Sequence, residues 1–289
     1  MEIIFKAAPL AIFFIMFCIG LNVKFSDFIN TFKSPKNLLI GLFSQSIILP
    51  LVGFLFALTV QANDEIKIGI ILVTCVPSAI TSNYLTRLIH GNVNLSVSLT
   101  ATTALLSFIS VPIILSQFVP LVAPESTILK NINFKKISLN LFIISTVPVF
   151  LGMITEYLFS NIVKKLDNFL RKVSLIIFFL VIFSAWFSEW DLIAKGYKNI
   201  WIILLLLVII IFTYVNILVT VFKISTAEKK TIITETFIQN AAIAIVIGAE
   251  VFGVGAGYLA FAGVYGIFQY KVFLVWYIWQ RNSNNLFSK

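Results

Sequence analysis

The chain has 289 residues, of which 60% are hydrophobic and only 11% charged, where a soluble domain carries roughly 25% charged residues. That balance excludes an ordinary water-soluble globule and points to a chain whose main solvent is lipid. The formal net charge of +9 does not single out nucleic acid as a partner, because the basic residues fall in short clusters between apolar runs and no polar domain carries them.

Several apolar runs reach the ~20 residues that a helix needs to cross the hydrocarbon core. In chain order they predict about nine transmembrane helices, at residues 3–22, 37–60, 66–89, 93–119, 138–159, 170–188, 199–221, 229–251 and 254–280. The first run has no basic n-region and no A-x-A-like cleavage site, so it is expected to stay as a span. The longest inter-span stretch is 120–136, and residues 1–289 are expected to form a single transmembrane domain. An odd number of spans puts the termini on opposite sides. With the N-terminus outside, thirteen basic residues fall on cytoplasmic segments and seven outside, with Lys271 left in the last span. The bias predicts an integral protein of the plasma (inner) membrane, N-terminus outside and C-terminus cytoplasmic.

Cys18 and Cys75 lie in apolar runs without metal-ligand companions and read as small packing residues. Gly248, Gly253, Gly255, Gly257, Gly263 and Gly266 read as helix-contact residues, with small-xxx-small spacing at Gly253/Gly257. The sole histidine, His90, stands at a helix end beside Gly91, and the polar spans offer no paired nucleophile and acid, so no enzyme chemistry is expected.

The informative residues are polar ones inside apolar spans. The third span holds Thr74, Pro77, Ser78, Thr81, Ser82, Asn83 and Thr86, and the eighth holds Thr231, Thr234, Glu235, Thr236, Gln239 and Asn240. Unpaired polar groups are costly in hydrocarbon, so each span is expected to turn these groups inward. At a constant offset of 157 positions Ser82-Asn83 falls on Gln239-Asn240, Gly91 on Gly248 and Ser78 on Glu235. Matched polar, interrupted spans in two halves of a chain are a pointer to a transporter binding site. Pro77 removes a helical donor and disfavours helix just before it, which predicts an unwound stretch at 77–81. In the eighth span no proline helps, and a break is expected on polarity and symmetry alone. Ser96, Ser98 and Thr100 of the fourth span and Gln45 of the second add oxygens, with Ser96 and Thr100 on one face. One intramembrane acid, neutral side-chain oxygens and freed carbonyls make a hard-oxygen environment that suits an alkali cation better than a transition metal.

Three stretches carry a family resemblance. They are Pro77-Ser78-Ala79-Ile80-Thr81-Ser82-Asn83 followed by Gly91-Asn92, Leu95-Ser96-Val97 and Thr100; Glu235-Thr236-Phe237-Ile238-Gln239-Asn240; and Gly20-Leu21 with Asp27-Phe28. Together these resemble the bile acid:sodium symporter family, the second stretch resembling its E-x-G-x-Q-N signature. In motif the resemblance covers roughly residues 10–115 and 229–270; residues 120–225 match in span number and spacing only. It implies an all-α polytopic membrane protein with an inverted repeat of four plus five helices, the first repeat at about 1–120 and the second at about 137–282. Two broken helices would cross at mid-membrane. It also implies uptake of an organic anion with two sodium ions. One sodium site would use Ser82, Asn83, Ser96, Thr100 and Glu235, and the other Gln45, Glu235, Gln239 and the main-chain carbonyls of Thr236 and Ile238. Substrate contact would come from Asn240, Ser78, Ile80 and Thr81.

The chain departs from the family pattern where substrate would sit: Ser78-Ala79 stands for Gly-Gly, and Phe237 for glycine. Bulk there should reshape the site, leaving a bile-acid-like solute, a small carboxylate or a neutral solute open. A proton-coupled exporter of the arsenite-efflux type, suggested by Cys75 beside Pro77 and by Glu235, is opposed by the intact Ser82-Asn83 and Gln239-Asn240 pairs. A transporter-like receptor is disfavoured by the completeness of the cation ligands. The expected partners are a small organic anion, sodium and the lipid bilayer.

Overall fold

The computed structural model describes residues 2–24, 26, 29, 35–124, 133–188, 190–252 and 257–286. The Asp27-Phe28 motif and the expected Gly253/Gly257 contact fall wholly or partly outside these residues. Among those described, the regular structure is helical, save one isolated antiparallel bridge between Ser78 and Gln239.

In chain order the helices are α1 (Glu2–Leu21), α2 (Pro35–Phe43), α3 (Leu49–Thr59), α4 (Asp64–Cys75), α5 (Ile80–Leu88) and α6 (Val93–Val122). Then come α7 (Phe134–Leu141), α8 (Val147–Ser188), α9 (Trp190–Val221), α10 (Thr226–Phe237), α11 (Ala241–Phe252) and α12 (Gly257–Leu286). Widened π-helical turns at Ser44–Ile48 and Phe142–Thr146 join α2 to α3 and α7 to α8. Pro50 and Pro148 follow these turns within two residues. A proline has no N–H for the preceding turn, and a local widening re-routes the hydrogen bonds it interrupts.

Burial is inverted relative to a soluble protein. Leu55, Leu180 and Ile202 are 59%, 61% and 59% exposed, whereas Ser82, Thr100 and Glu235 are 0% exposed. An apolar exterior around a polar centre is the arrangement that lipid demands. Among the described residues, five stretches, Pro35–Thr59, Val93–Val122, Lys135–Ser184, Ile200–Val221 and Gly257–Arg281, are long and apolar enough to cross a membrane. The expected third and eighth spans are not among them because each is divided, into helices of 12 and 9 residues and of 12 and 12 residues.

One sequence expectation is corrected. Residues 160–169, expected to be a loop, are helical within α8, and the only non-helical backbone there is Phe159, at φ −129° and ψ 35°. The hydropathy falls over that stretch because the helix is amphipathic rather than absent. Val163 is buried while Lys164 and Lys165 are exposed, and Asp167 pairs with Arg171 one turn on. α8 also packs closely on α1, where a Cβ at Gly20 would fall on the carbonyl oxygen of Val149 and one at Gly152 on that of Phe17.

Candidate cation and substrate site

The site is built where two helix interruptions meet. α4 stops at Cys75, Val76 turns extended with ψ 158°, and α5 restarts at Ile80 after Ala79 at ψ 152°. α10 stops at Phe237, Ile238 leaves helical geometry with φ −90° and ψ 93°, and α11 restarts at Ala241. The two open stretches pair with each other: the Ala79 N–H donates to the Ile238 carbonyl at 3.2 Å and the Asn240 N–H to the Pro77 carbonyl at 2.9 Å. Shifting each residue to its counterpart 161 positions away, as from Ser78 to Gln239, converts the first bond into the second. The pairing thus has local two-fold symmetry.

That register corrects the one expected from sequence. At the offset of 157, Ser78 aligns with Glu235, and the structure places those two side chains in contact at 2.6 Å rather than at equivalent points of the two breaks. The difference is about one helical turn. A pattern of polar residues on a helix face nearly repeats after such a slip, so side-chain matching alone does not fix it. The first unwound stretch is residues 76–79, starting one residue before the expected 77–81 and ending two before it.

Glu235, on α10, is enclosed by hydroxyls from the first unwound stretch, from α5 and from α6. Its Oε1 accepts from Ser82 Oγ at 2.6 Å and from Ser96 Oγ. Its Oε2 accepts from Ser78 Oγ at 2.6 Å and Thr100 Oγ1 at 2.8 Å. Asn83 Oδ1 lies 2.8 Å from Ser96 Oγ and 3.2 Å from Thr100 Oγ1. The structure therefore gathers Ser82, Asn83, Ser96, Thr100 and Glu235, and adds Ser78 to that group. Each hydroxyl has one proton but faces more than one acceptor: Ser82 Oγ also reaches the Ala79 carbonyl at 2.7 Å, and Thr100 Oγ1 the Ser96 carbonyl at 3.1 Å. If all four protons serve Glu235, Asn83 Oδ1 gets none of them. The cluster has more oxygen acceptors than protons, which is the composition of a cation cage.

A second group lies on the other side of α10. Gln45 sits in the π-helical turn of Ser44–Ile48, buried, with neither side-chain oxygen nor nitrogen hydrogen-bonded. Its neighbour Ser44 reaches Thr236 Oγ1 at 3.0 Å. Gln239 Nε2 donates to the carbonyls of Glu235 at 3.2 Å and Thr236 at 2.7 Å, which leaves Gln239 Oε1 buried and without a partner. Both oxygens of Glu235 accept from the first group, and its carboxylate makes no hydrogen bond to Gln45 or Gln239 here. The Thr236 carbonyl already accepts the Gln239 amide, and the Ile238 carbonyl the Ala79 N–H.

The side chains of the expected substrate residues turn to different partners, although Ser78 and Asn240 share the backbone pairing of the two breaks. Ser78 bonds Glu235, and Thr81 Oγ1 lies 2.7 Å from the Tyr270 hydroxyl. Ile80 lines a cavity of about 200 Å³ together with Asn83, Tyr84 and Arg87. Asn240 caps α11, its Oδ1 accepting the Ile243 N–H at 3.2 Å, while its Nδ2 is buried without a partner. Phe237 is buried with its ring 5.0 Å from that of Phe212, so the bulk expected there is accommodated by aromatic packing.

Sequence reasoning missed the residues that hold the second break open. Gln269 on α12 accepts the Gln239 N–H at 2.9 Å and donates to the Gln239 carbonyl at 3.1 Å. Tyr265 OH donates to the Phe237 carbonyl at 2.9 Å. A lone glutamine between Phe268 and Tyr270 in an apolar span was the available signal.

A helical chain with an apolar exterior, a paired helix break and a buried carboxylate among hydroxyls belongs to the class of polytopic membrane transporters. Residues 9–196 match the family model described as the Sodium Bile acid symporter family, well over half of the chain, and the chain belongs to that family, whose members are transporters and not enzymes. The Glu235 to Asn240 stretch lies beyond the matched residues. Among curated proteins, the chain is similar to a sodium-dependent transporter, YocS, of Bacillus subtilis, described as uncharacterized, with 32% identity over 56% of this chain and 48% of that one. It is also similar to the ileal sodium/bile acid cotransporter of Homo sapiens, with 25% identity over 65% of this chain and 53% of the relative. A third relative, the probable chloroplastic sodium/metabolite cotransporter BASS2 of Oryza sativa, is 25% identical over 53% of this chain and 35% of its own. The chain thus spans about half or less of the length of these relatives.

Proposed function

We propose that this chain is a secondary active transporter that takes up an organic anion together with sodium by alternating access. The observation that carries this reading is the surplus of oxygen acceptors around Glu235. Four hydroxyl protons serve a carboxylate and Asn83 Oδ1, and a hard cation supplies the missing positive charge while bonding the hydroxyl lone pairs. Ser78, Ser82, Asn83, Ser96, Thr100 and Glu235 would hold that first ion. The orphaned Oε1 atoms of Gln45 and Gln239 support a second ion on the other side of α10.

Those amides also separate this reading from a proton-coupled exporter. A proton on Glu235 would relieve the first cluster, but amide oxygens do not take up protons near neutral pH and would remain without a partner. In the membrane we read the helices as nine spans, N-terminus outside and C-terminus cytoplasmic, supported by the basic bias of the loops. The first four and last five form an inverted repeat, for which the two-fold pairing of the breaks is the local support. Ends of α5 and α11 that point their N-termini at the pairing site favour an anionic solute there.

Isothermal titration of purified protein with sodium chloride, against choline chloride at equal ionic strength, tests the reading. Wild type is expected to bind sodium, and Glu235→Gln, which keeps the size but removes the charge, is expected to bind none near pH 7. Well-folded wild type that binds no sodium, or a variant that binds it equally well, would overturn the sodium assignment. Substrate-dependent sodium flux into proteoliposomes then tests coupling.

A further inference from the structure

The cavity of about 200 Å³ next to the Glu235 cluster has a chemistry of its own. Helix α5 turns one face to it, Ile80, Asn83, Tyr84 and Arg87 at i, i+3, i+4 and i+7. Lys24, following α1, and Arg171 of α8 close it from the other side. Among the described residues its lining thus carries three basic side chains and no acidic one. The guanidinium of Arg171 stacks over the Tyr84 ring at 4.9 Å and pairs with Asp167. Arg171 Nε and the Tyr84 hydroxyl are nonetheless buried and without a hydrogen-bond partner. Two unsatisfied donors at one basic cavity call for an acceptor that carries negative charge.

We propose that this cavity receives the carboxylate of a compact organic acid, held by Arg171, Arg87 and the Tyr84 hydroxyl, and that the acid takes the place of Asp167 on Arg171. The proposal rests on the transporter reading above and names the solute class for it. Asp167 is the internal stand-in for the ligand. Its pairing with Arg171 is between side chains 36% and 23% exposed, four residues apart on one helix, and such pairs contribute little stability, so a ligand displaces Asp167 at small cost. Asn83 ties the cavity to the cation cluster: its Oδ1 faces the Ser96 and Thr100 hydroxyls, which leaves its amide nitrogen for the cavity. A cation that fixes the oxygen also fixes that donor, a direct route by which sodium raises anion affinity. The volume sets the upper size. At about 200 Å³ the cavity lies below the ~300–1,000 Å³ of sites for drug-sized ligands, which suits short-chain carboxylates better than a steroid body.

The test is binding to the full-length detergent-purified chain in sodium chloride, by thermal shift and titration. The probes are butyrate, succinate and tricarballylate, with succinamide as the uncharged control and taurocholate as the bulky one. At least one of the three compact acids is expected to bind wild type, and neither control to do so. Arg171→Gln is expected to weaken that acid at least tenfold and Arg87→Gln severalfold. Asp167→Asn, which removes the internal competitor, is expected to tighten it severalfold. A merely structural Asp167–Arg171 pair predicts the opposite sign, or no change. The proposal fails if none of the three acids binds, if succinamide or taurocholate binds as well as they do, or if Asp167→Asn weakens binding. Sodium titration of the same samples separates the two readings. Intact sodium binding without anion binding overturns this cavity alone, and loss of sodium binding in wild type overturns the transporter reading. Retained sodium binding in each variant also reports that it is folded.

Discussion

The two helix breaks reach similar geometry by different means. At the first, Pro77 has no N–H to leave unpaired, and the Ala79 carbonyl is capped by its own neighbours, the Ser82 N–H at 2.9 Å and Ser82 Oγ at 2.7 Å. At the second there is no proline. There Gln239 is gripped through both backbone groups by the Gln269 side chain, and the Phe237 carbonyl by Tyr265, both from α12. The first break is therefore written into its own segment, whereas the second is imposed by a helix about 30 residues further on. In lipid, where water does not compete, a helix opens only where such partners satisfy the freed groups.

By this contrast the second break is the fragile one. Gln269→Leu leaves the buried Gln239 N–H unpaired, worth about 1–3 kcal/mol, and leaves the Gln239 carbonyl with the Ala241 N–H alone, at 3.0 Å. A loss of about 1–3 kcal/mol is expected, read as a clear drop in the thermal midpoint in detergent, together with weaker sodium binding because Gln239 Oε1 loses its fixed position. An unchanged midpoint would mean that the Pro77 and Ala79 pairing suffices to hold the second break.

What was legible in the sequence follows the same divide. The helical class and the broken third span could be anticipated from hydropathy and proline chemistry, which are local signals, and the gathering of Ser82, Asn83, Ser96 and Thr100 on Glu235 from the family resemblance. The register of the two breaks could not, since a slip of one turn preserves most of a helical polar pattern while moving the backbone partners. Gln269 was passed over for the same reason: its role is set by a contact 30 residues away in sequence. Residues 160–169 were misjudged because hydropathy measures lipid exposure, and an amphipathic helix scores low while remaining helical.

Tyr265→Phe sharpens the comparison at smaller scale. It removes a single hydrogen bond, from the hydroxyl to the Phe237 carbonyl, and keeps the ring packed. The expected loss is about 0.5–1.5 kcal/mol, visible as a modest fall in the thermal midpoint with sodium binding retained. A loss as large as that of Gln269→Leu would show that α12 holds the break mainly at Phe237 and not at Gln239.

The smallest effect is expected at the residue that most clearly announced a break. Pro77→Ala restores an N–H and permits helix through residue 77, so a reading based on proline alone predicts that α4 and α5 fuse and the site is lost. The structure argues otherwise. The Pro77 carbonyl accepts the Asn240 N–H and the Ala79 N–H serves Ile238, so closing the first helix would strip the second break of both bonds and withdraw Ser78 from Glu235. Helix gained in one segment would cost buried groups in two. Alanine at position 77 can keep the extended backbone, losing only the proline's restriction of the unfolded chain, worth about 0.4–1 kcal/mol. The expected outcome is a thermal midpoint within a few degrees of wild type and unaltered sodium affinity by titration. Abolished sodium binding in folded Pro77→Ala protein would mean that the first break depends on its proline after all, and that the pairing between the two stretches follows from the breaks without holding them open.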